Sequence, residues 1–160
     1  MVLVDAAHED QHSVWGGEAH LLRAGAKGRA FPEPRIALDS ALLERGAEAS
    51  SSAAREAEMD WSPEEMERMH QIRAQKRSTL GDLPLIVLAR TDGGYEKGLN
   101  IPADSLERER RALQADLASL SMRGTLVFAP HSGHNIHVED PALVIRSILR
   151  VVADARHQPR

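Results

Sequence analysis

A fully apolar run between two polar loops most strongly constrains how this chain folds. Residues 83–89 read LPLIVLA, and a second largely apolar run, GTLVFA, occupies residues 124–129. Strands without polar alternation are typical of parallel sheets that are covered on both faces. Each run precedes a predicted amphipathic helix. The helix after the first run covers residues 104–121, and its leucines share one face: Leu106, Leu113, Leu117 and Leu120.

The final helix is predicted to start at Asp140 and Pro141, with an apolar stripe formed by Ile145, Ile148, Leu149 and Val152. Another strand, the first in chain order, is predicted at the start of the chain, MVLV, and we expect it to be buried. Apolar strands alternating with amphipathic helices predict an α/β fold with about three parallel strands and flanking helices.

The first two strands are separated by a long insert within one predicted domain, residues 1–160. Residues 16–60 contain GG, FPEP and ASSSAA, which predict irregular structure. Residues 62–78 predict a surface helix, in which Ser62 caps, Pro63 takes the first helical position and Glu65 completes a capping box.

Composition excludes several classes of function. The net charge of −4 provides no basic footprint for nucleic acid, and no apolar run is long enough to span a bilayer. With no cysteine, the chain has neither disulfides nor thiolate chemistry. The opening MVLV is too short for the apolar stretch of a signal peptide. We therefore expect a cytoplasmic protein that binds no nucleic acid, membrane or cofactor.

The loop after the third strand, HSGHNIHVEDP at residues 131–141, is the main candidate for chemistry. It contains three histidines, His131, His134 and His137, and catalytic zinc sites have three protein ligands. Their spacing suits neither a helix nor a hairpin, so no metal site is expected. His134 follows a strand end, where ligands of parallel sheets bind, and an imidazole there can act as a general base. We interpret His131 and His137 as supporting residues, with His137 and Glu139 near the helix start.

The segment SGHNIHVEDPALVIRSIL resembles the C-terminal signature of the α/β-hydrolase superfamily. In that family a Gly-His pair follows the last strand and an Asp-Pro pair begins the last helix. The resemblance implies a partial α/β-hydrolase fold with His134 as the base of the catalytic triad. MVLVDAAHEDQ and LPLIVLA resemble the two preceding strands, and residues 16–80 between them resemble the family's cap or lid.

The resemblance leaves two candidates for the acid that orients the histidine. Asp92 follows the second strand, where most members of the family carry the acid, but Ala89 stands where they have glycine. Asp5 ends the first strand, where some subgroups place it. We favour Asp5, because Asp92 also fits a simple role in shaping the TDGG turn.

The chain carries no recognisable nucleophile. None of its twelve serines lies within G-x-S-x-G, and Ser132, the nearest look-alike, sits in the histidine loop itself. In the family the nucleophile precedes the acid and the base, so the chain resembles the C-terminal half of a hydrolase.

Two functions are therefore expected as alternatives. In the first, the complete form hydrolyses a small-molecule ester or acyl substrate, and the isolated chain is inactive. In the second, the chain is a non-catalytic binding or interaction protein that retains the sheet. Its exposed sheet edge then favours self-association.

Overall fold

The computed structural model describes residues 1–28, 62–76 and 78–157. The described residues form five strands, one 3₁₀ helix at Leu22–Gly25 and four α-helices. The strands are β1 (Val2–Val4), β2 (His12–Trp15), β3 (Glu18–Leu21), β4 (Leu85–Arg90) and β5 (Gly124–Ala129). The helices are α1 (Ser62–Gln75), α2 (Ala103–Ala118), α3 (Ile136–Glu139) and α4 (Pro141–Arg156).

The main sheet has three parallel strands in the order β1-β4-β5. Leu3 of β1 pairs with Val87, and Val127 of β5 pairs with Leu88. The first five residues of β4 are all buried, as expected for a central strand covered on both faces. The predicted α/β architecture with a parallel sheet and flanking helices is confirmed.

The two faces of the sheet support two separate apolar clusters. On one face, Leu85 and Val87 pack with Leu117 and Leu120 from α2 and the turn after it. The other face is covered by α3 and α4. Its cluster contains Ile86, Leu88, Ala129 and Ile136, and partly buried side chains of α4 pack against it: Leu143, Val144 and Val151.

The helices largely follow the sequence signals that predict them. Asp140 caps α4, because its Oδ1 accepts the N–H of Leu143 at 2.9 Å and Pro141 takes the first helical position. The predicted helix at residues 62–78 begins at Ser62 and ends earlier than expected, at Gln75. None of the helices in the described ranges combines the length and the apolarity needed to cross a membrane.

Part of the region predicted to be irregular is ordered. β2 and β3 form an antiparallel hairpin, and its turn consists of Gly16 and Gly17, both with positive φ (62° and 80°). A Gly-Gly pair is suited to such a turn because it adopts positive φ without steric cost. The rings of Trp15 and His20 stack across the hairpin at 4.3 Å. Most of the predicted cap-like insert, residues 29–61 and 77, lies outside the described residues.

Two expectations about burial are wrong. The stripe of Ile145, Ile148, Leu149 and Val152 points outward from α4, and Leu149 is 62% exposed. Side chains one or two positions away form the core-facing stripe, because α4 lies on the sheet through Leu143, Val144 and Val151. β1 is only half-buried, since it is an edge strand of the sheet.

The junction between α2 and β5 depends on a glycine. A Cβ at Gly124 would overlap the carbonyl group of Ala118 and approach the carbonyl oxygen of Ser121 to 3.1 Å. We predict that Gly124→Ala lowers the free energy of unfolding by about 1–3 kcal/mol, since the backbone must shift. Gly94→Ala is the matched control, because nothing lies within 4 Å of its Cβ position and its φ is not positive.

Urea denaturation of both variants measures the difference. The Gly94 variant should stay within about 0.5 kcal/mol of the parent protein. Equal stability of the two variants would contradict the close approach of α2 to β5.

Candidate functional site

The C-terminal ends of the three parallel strands bring polar side chains to one edge of the sheet. Asp5 follows β1, Arg90 ends β4 and His134 lies in the loop after β5. This edge is where parallel α/β sheets bind ligands. The three side chains line a cavity of about 660 Å³, together with Tyr95 from the loop after β4 and Arg110 from α2.

His134 and Asp5 form a hydrogen-bonded dyad across this edge. Nδ1 of His134 lies 2.9 Å from Oδ2 of Asp5, although 129 residues separate them in sequence. An ionised carboxylate only accepts hydrogen bonds, so Nδ1 is the donor, and in the neutral form of the ring Nε2 keeps its lone pair. The Asp5 side chain is 7% exposed and the His134 side chain 72% exposed. A buried acid thus holds an accessible imidazole in the tautomer of a proton acceptor.

Asp5 is fixed by other groups besides the histidine. Its Oδ1 accepts hydrogen bonds from Nη1 of Arg110 at 3.2 Å and from the backbone N–H of Arg90 at 3.4 Å. Its own N–H donates to the carbonyl of Leu88 at 2.8 Å, and its φ is 40°. Positive φ is uncommon for a residue other than glycine and occurs often at functional sites.

Arg110 links Asp5 to a second carboxylate on α2. It donates from Nη2 to Oε1 of Glu107 at 2.6 Å and to the carbonyl of Arg90 at 3.1 Å. Burial alone would raise the pKa of Glu107, but hydrogen bonds and charge from Arg110 outweigh it and lower that pKa below its ordinary value. Glu107 is therefore held as an anion beside the site.

The second candidate acid, Asp92, is exposed and contacts the preceding residue, Thr91. Its Oδ1 lies 3.2 Å from the hydroxyl of Thr91. Within the described residues, no hydrogen bond or ion pair joins Asp92 to His134. Thr91 connects the two loops instead, because its hydroxyl donates to Ala129 O and accepts the N–H of His131, both at 2.9 Å.

The other residues of the histidine loop hold its shape. His131 (φ 57°) and His137 are exposed, and His137 lies in α3. The expected helix-start role of His137 and Glu139 is taken by Asp140, and Glu139 instead accepts the N–H of Gly133 at 2.5 Å. Ser132 is buried, and its carbonyl accepts the N–H groups of Thr91 and Asp92 at 3.1 and 3.0 Å.

A group of three potential metal ligands lies away from the histidine loop. Among the described residues, His8, Glu9 and Asp10 place ligand atoms within 4.8 Å of one another. Nδ1 of His8 already accepts the N–H of Asp10 at 3.0 Å, and Nη1 of Arg73 binds Oε1 of Glu9 at 2.7 Å. The guanidinium of Arg73 supplies positive charge there, so the group is organised as a buried ion-pair network.

Sequence reasoning did not find several residues of the cavity. Arg110 carries a readable signal, because it is a charged residue among the buried leucines of the inner face of α2. His12 contacts Glu109 through Nδ1 at 2.8 Å, and nothing in the sequence links these two positions. Tyr95 is half-buried in a polar loop, and burial raises the pKa of its phenol above the ordinary value of 10.0.

We compared the chain with models of protein families, with curated proteins and with solved structures, and none of them matches it. Any inference about its chemistry therefore depends on its own residues and their geometry.

The lowered pKa of Glu107 makes part of the stability depend on pH. A carboxyl group with a lowered pKa in the folded state stabilises that state above its ordinary value of 4.5. This contribution is lost as the pH falls through the pKa of the folded state. We therefore predict that the stability difference between the parent protein and Glu107→Gln shrinks as the pH is lowered from about 7 to about 3.

Urea denaturation across this range provides the test. Glu65→Gln, which removes an exposed carboxylate of α1, is the control and should show a smaller dependence on pH. A difference between the parent and Glu107→Gln that is constant with pH would contradict the ion pairing.

Proposed function

We propose that this chain provides the acid and base of an α/β-hydrolase-type enzyme that hydrolyses ester or acyl substrates. His134 is the general base and Asp5 is the acid that orients it. The observation that carries the proposal is the contact of 2.9 Å between Nδ1 of His134 and Oδ2 of Asp5 at the C-terminal edge of a parallel sheet.

The division of roles follows from the surroundings of each group. His134 lines the cavity, and its exposed imidazole leaves Nε2 available to take a proton from an attacking hydroxyl. The same nitrogen then returns the proton to the leaving alcohol or amine. Buried Asp5 keeps the tautomer fixed and stabilises the imidazolium that forms during the reaction. Asp92 has no role as the acid in this proposal, because its carboxylate contacts Thr91.

In this proposal, residues 1–160 do not provide the nucleophile that attacks the substrate. No serine lies within G-x-S-x-G, and Ser132 is buried, with its hydroxyl 3.5 Å from the carbonyl oxygen of Pro130. The serine and the oxyanion donors come from other polypeptide. Without them, a base and an orienting acid have no hydroxyl to activate, and the chain alone is inactive.

A second candidate function is that of a non-catalytic interaction protein, and the edge of the main sheet at β1 favours it. Among the described residues, β4 is the only strand that pairs with β1. Beside it lies an apolar groove of about 350 Å³ that is lined by Leu3, Met69, Ile72 and Leu80, among other residues. We propose a second copy of the chain as the occupant, with its own β1 continuing the sheet.

The catalytic proposal predicts the effects of single substitutions in the native enzyme, recovered from its source cells. His134→Ala should lower kcat/KM for an activated ester at least about 10³-fold, because the nucleophile loses its base. Asp5→Asn should cause a large loss as well, because an amide oxygen that faces Arg110 leaves its NH₂ group facing Nδ1, where it cannot accept a hydrogen bond and favours the other tautomer. Ester hydrolysis and labelling by a fluorophosphonate measure both effects.

His137→Ala is the matched control, since it removes an exposed histidine of the same loop. It should leave kcat/KM unchanged. The catalytic proposal is wrong if His134→Ala hydrolyses the ester as fast as His137→Ala. Saturable turnover with a labelled serine in the isolated chain would contradict the claim that the nucleophile lies elsewhere.

Self-association at β1 predicts a different result, for the isolated chain. Met1 and Asp5 make the backbone hydrogen bonds to β4, so the N–H of Val2 points to the free edge. Val2→Pro should therefore weaken a dimer observed by analytical ultracentrifugation, because proline removes this donor. Val2→Ala loses similar side-chain contacts but keeps the N–H, and should dimerise like the parent protein. A parent chain that is monomeric at all concentrations tested would exclude this mode.

A further inference from the structure

The guanidinium of Arg90 lies in the cavity without a hydrogen-bond acceptor among the described residues. Its side chain is only 16% exposed, and Nε is buried and makes no hydrogen bond to the described residues. Arg90 forms ion pairs with the carboxylates of Asp5 and Glu107, both at 3.8 Å, a distance too long for a hydrogen bond. Arg110, by contrast, donates hydrogen bonds to both of these acids.

Such an arrangement is costly unless a further group binds. A largely buried guanidinium whose ion pairs are too long for hydrogen bonds recovers only part of its lost hydration from the protein. Arg110 already donates hydrogen bonds to Asp5 and Glu107, so neither acid depends on Arg90 for a hydrogen bond. The guanidinium therefore remains available to an acceptor that enters the cavity.

The buried charges around Arg90 cancel. Asp5 and Glu107 carry two negative charges, and Arg90 and Arg110 carry two positive charges. Glu96 and Arg111 are both exposed, so solvent screens them. An anion in the cavity therefore binds through hydrogen bonds from Arg90 and not through an excess of charge.

The neighbouring residues leave room for a ligand at the guanidinium. Nη1 of Arg90 lies 3.2 Å from the position that a Cβ of Gly93 would occupy, so a larger residue there would press on it. The Tyr95 ring lies 6.0 Å from the guanidinium carbon. Because burial raises the pKa of Tyr95, its phenol stays protonated at neutral pH and can donate a hydrogen bond.

We propose that Arg90 binds a carboxylate group of the substrate, so that the enzyme acts on esters or acyl compounds that carry a free carboxylate. The planar guanidinium matches a carboxylate with two parallel hydrogen bonds, and Tyr95 adds a third donor. His134 lines the same cavity, which lets the reacting carbonyl lie beside the dyad while the carboxylate rests on Arg90. The assignment of substrate class rests on the proposed hydrolase function, but binding at Arg90 is measured without turnover.

The experiment compares binding of charged and neutral probes to the full chain by NMR titration. The charged probes are the monomethyl esters of succinate, glutarate and adipate, and the neutral probes are the corresponding dimethyl esters. At least one monoester should bind about tenfold or more tightly than its diester, as expected for a charge-assisted pair of hydrogen bonds. Arg90→Met should abolish this preference.

Arg108→Met is the matched control, because it removes an equal charge from an exposed position on α2. It should keep the preference for the monoester. Arg90→Lys should bind the monoester several-fold more weakly than the parent chain, since an ammonium group lacks the planar fork. If Arg90→Met fails to fold, the lysine variant and the comparison of probes on the parent chain decide the question.

Equal affinity for monoester and diester, no binding of any monoester, or full binding by Arg90→Met would overturn the proposal. His134→Ala separates this inference from the catalytic one, because it should still bind the monoester. If the native enzyme with His134→Ala hydrolyses esters normally while Arg90 remains essential for binding, the catalytic proposal fails and the carboxylate site stands.

Discussion

The candidate site depends on the hydrogen bonds that the Asp5 carboxylate accepts. Its two oxygens accept hydrogen bonds from His134, Arg110 and the backbone N–H of Arg90. These groups belong to the loop after β5, to α2 and to the end of β4, so one buried side chain joins the carboxyl ends of all three parallel strands. A buried carboxylate is costly unless it is paired and hydrogen-bonded. Its partners are consequently held in fixed positions, and the imidazole of His134 is held with them.

The sheet explains how this carboxylate becomes buried. β4 is covered on both faces, by α2 on one and by α3 and α4 on the other, and β1 and β5 flank it. Because all three strands run in the same direction, their last residues meet at one edge and open into a single cavity. At the other edge of β1 no strand pairs within the part of the chain that the structure describes, and the apolar side chains of β1 are only half-buried. An apolar surface and unpaired backbone groups at one edge favour the addition of another strand.

The accuracy of the sequence predictions differed between elements for physical reasons. β4 and β5 were predictable because a buried parallel strand needs an uninterrupted apolar run, and α4 because Asp140 and Pro141 give an unambiguous start. The hairpin of β2 and β3 was missed, although the Gly-Gly turn at residues 16 and 17 is a local signal for it. The apolar stripe of α4 was assigned to the core, but helical periodicity locates apolar positions without showing which of them face this sheet. Arg90 was missed because the acids that it pairs with, Asp5 and Glu107, lie far away in sequence. Arg110 was missed although a charged residue among the leucines of the inner face of α2 is a local signal.

The sequence by itself determined the parallel α/β layers, the position of His134 after the last strand and the absence of a G-x-S-x-G nucleophile. These properties follow from local composition and spacing, which act over a few residues. Only the tertiary structure decided that Asp5, and not Asp92, contacts His134, and that the guanidinium of Arg90 lies in the cavity with no hydrogen-bond acceptor among the described residues. Hydrogen bonds between groups more than a hundred residues apart depend on strand order and helix packing, because these bring the groups within about 3 Å of each other.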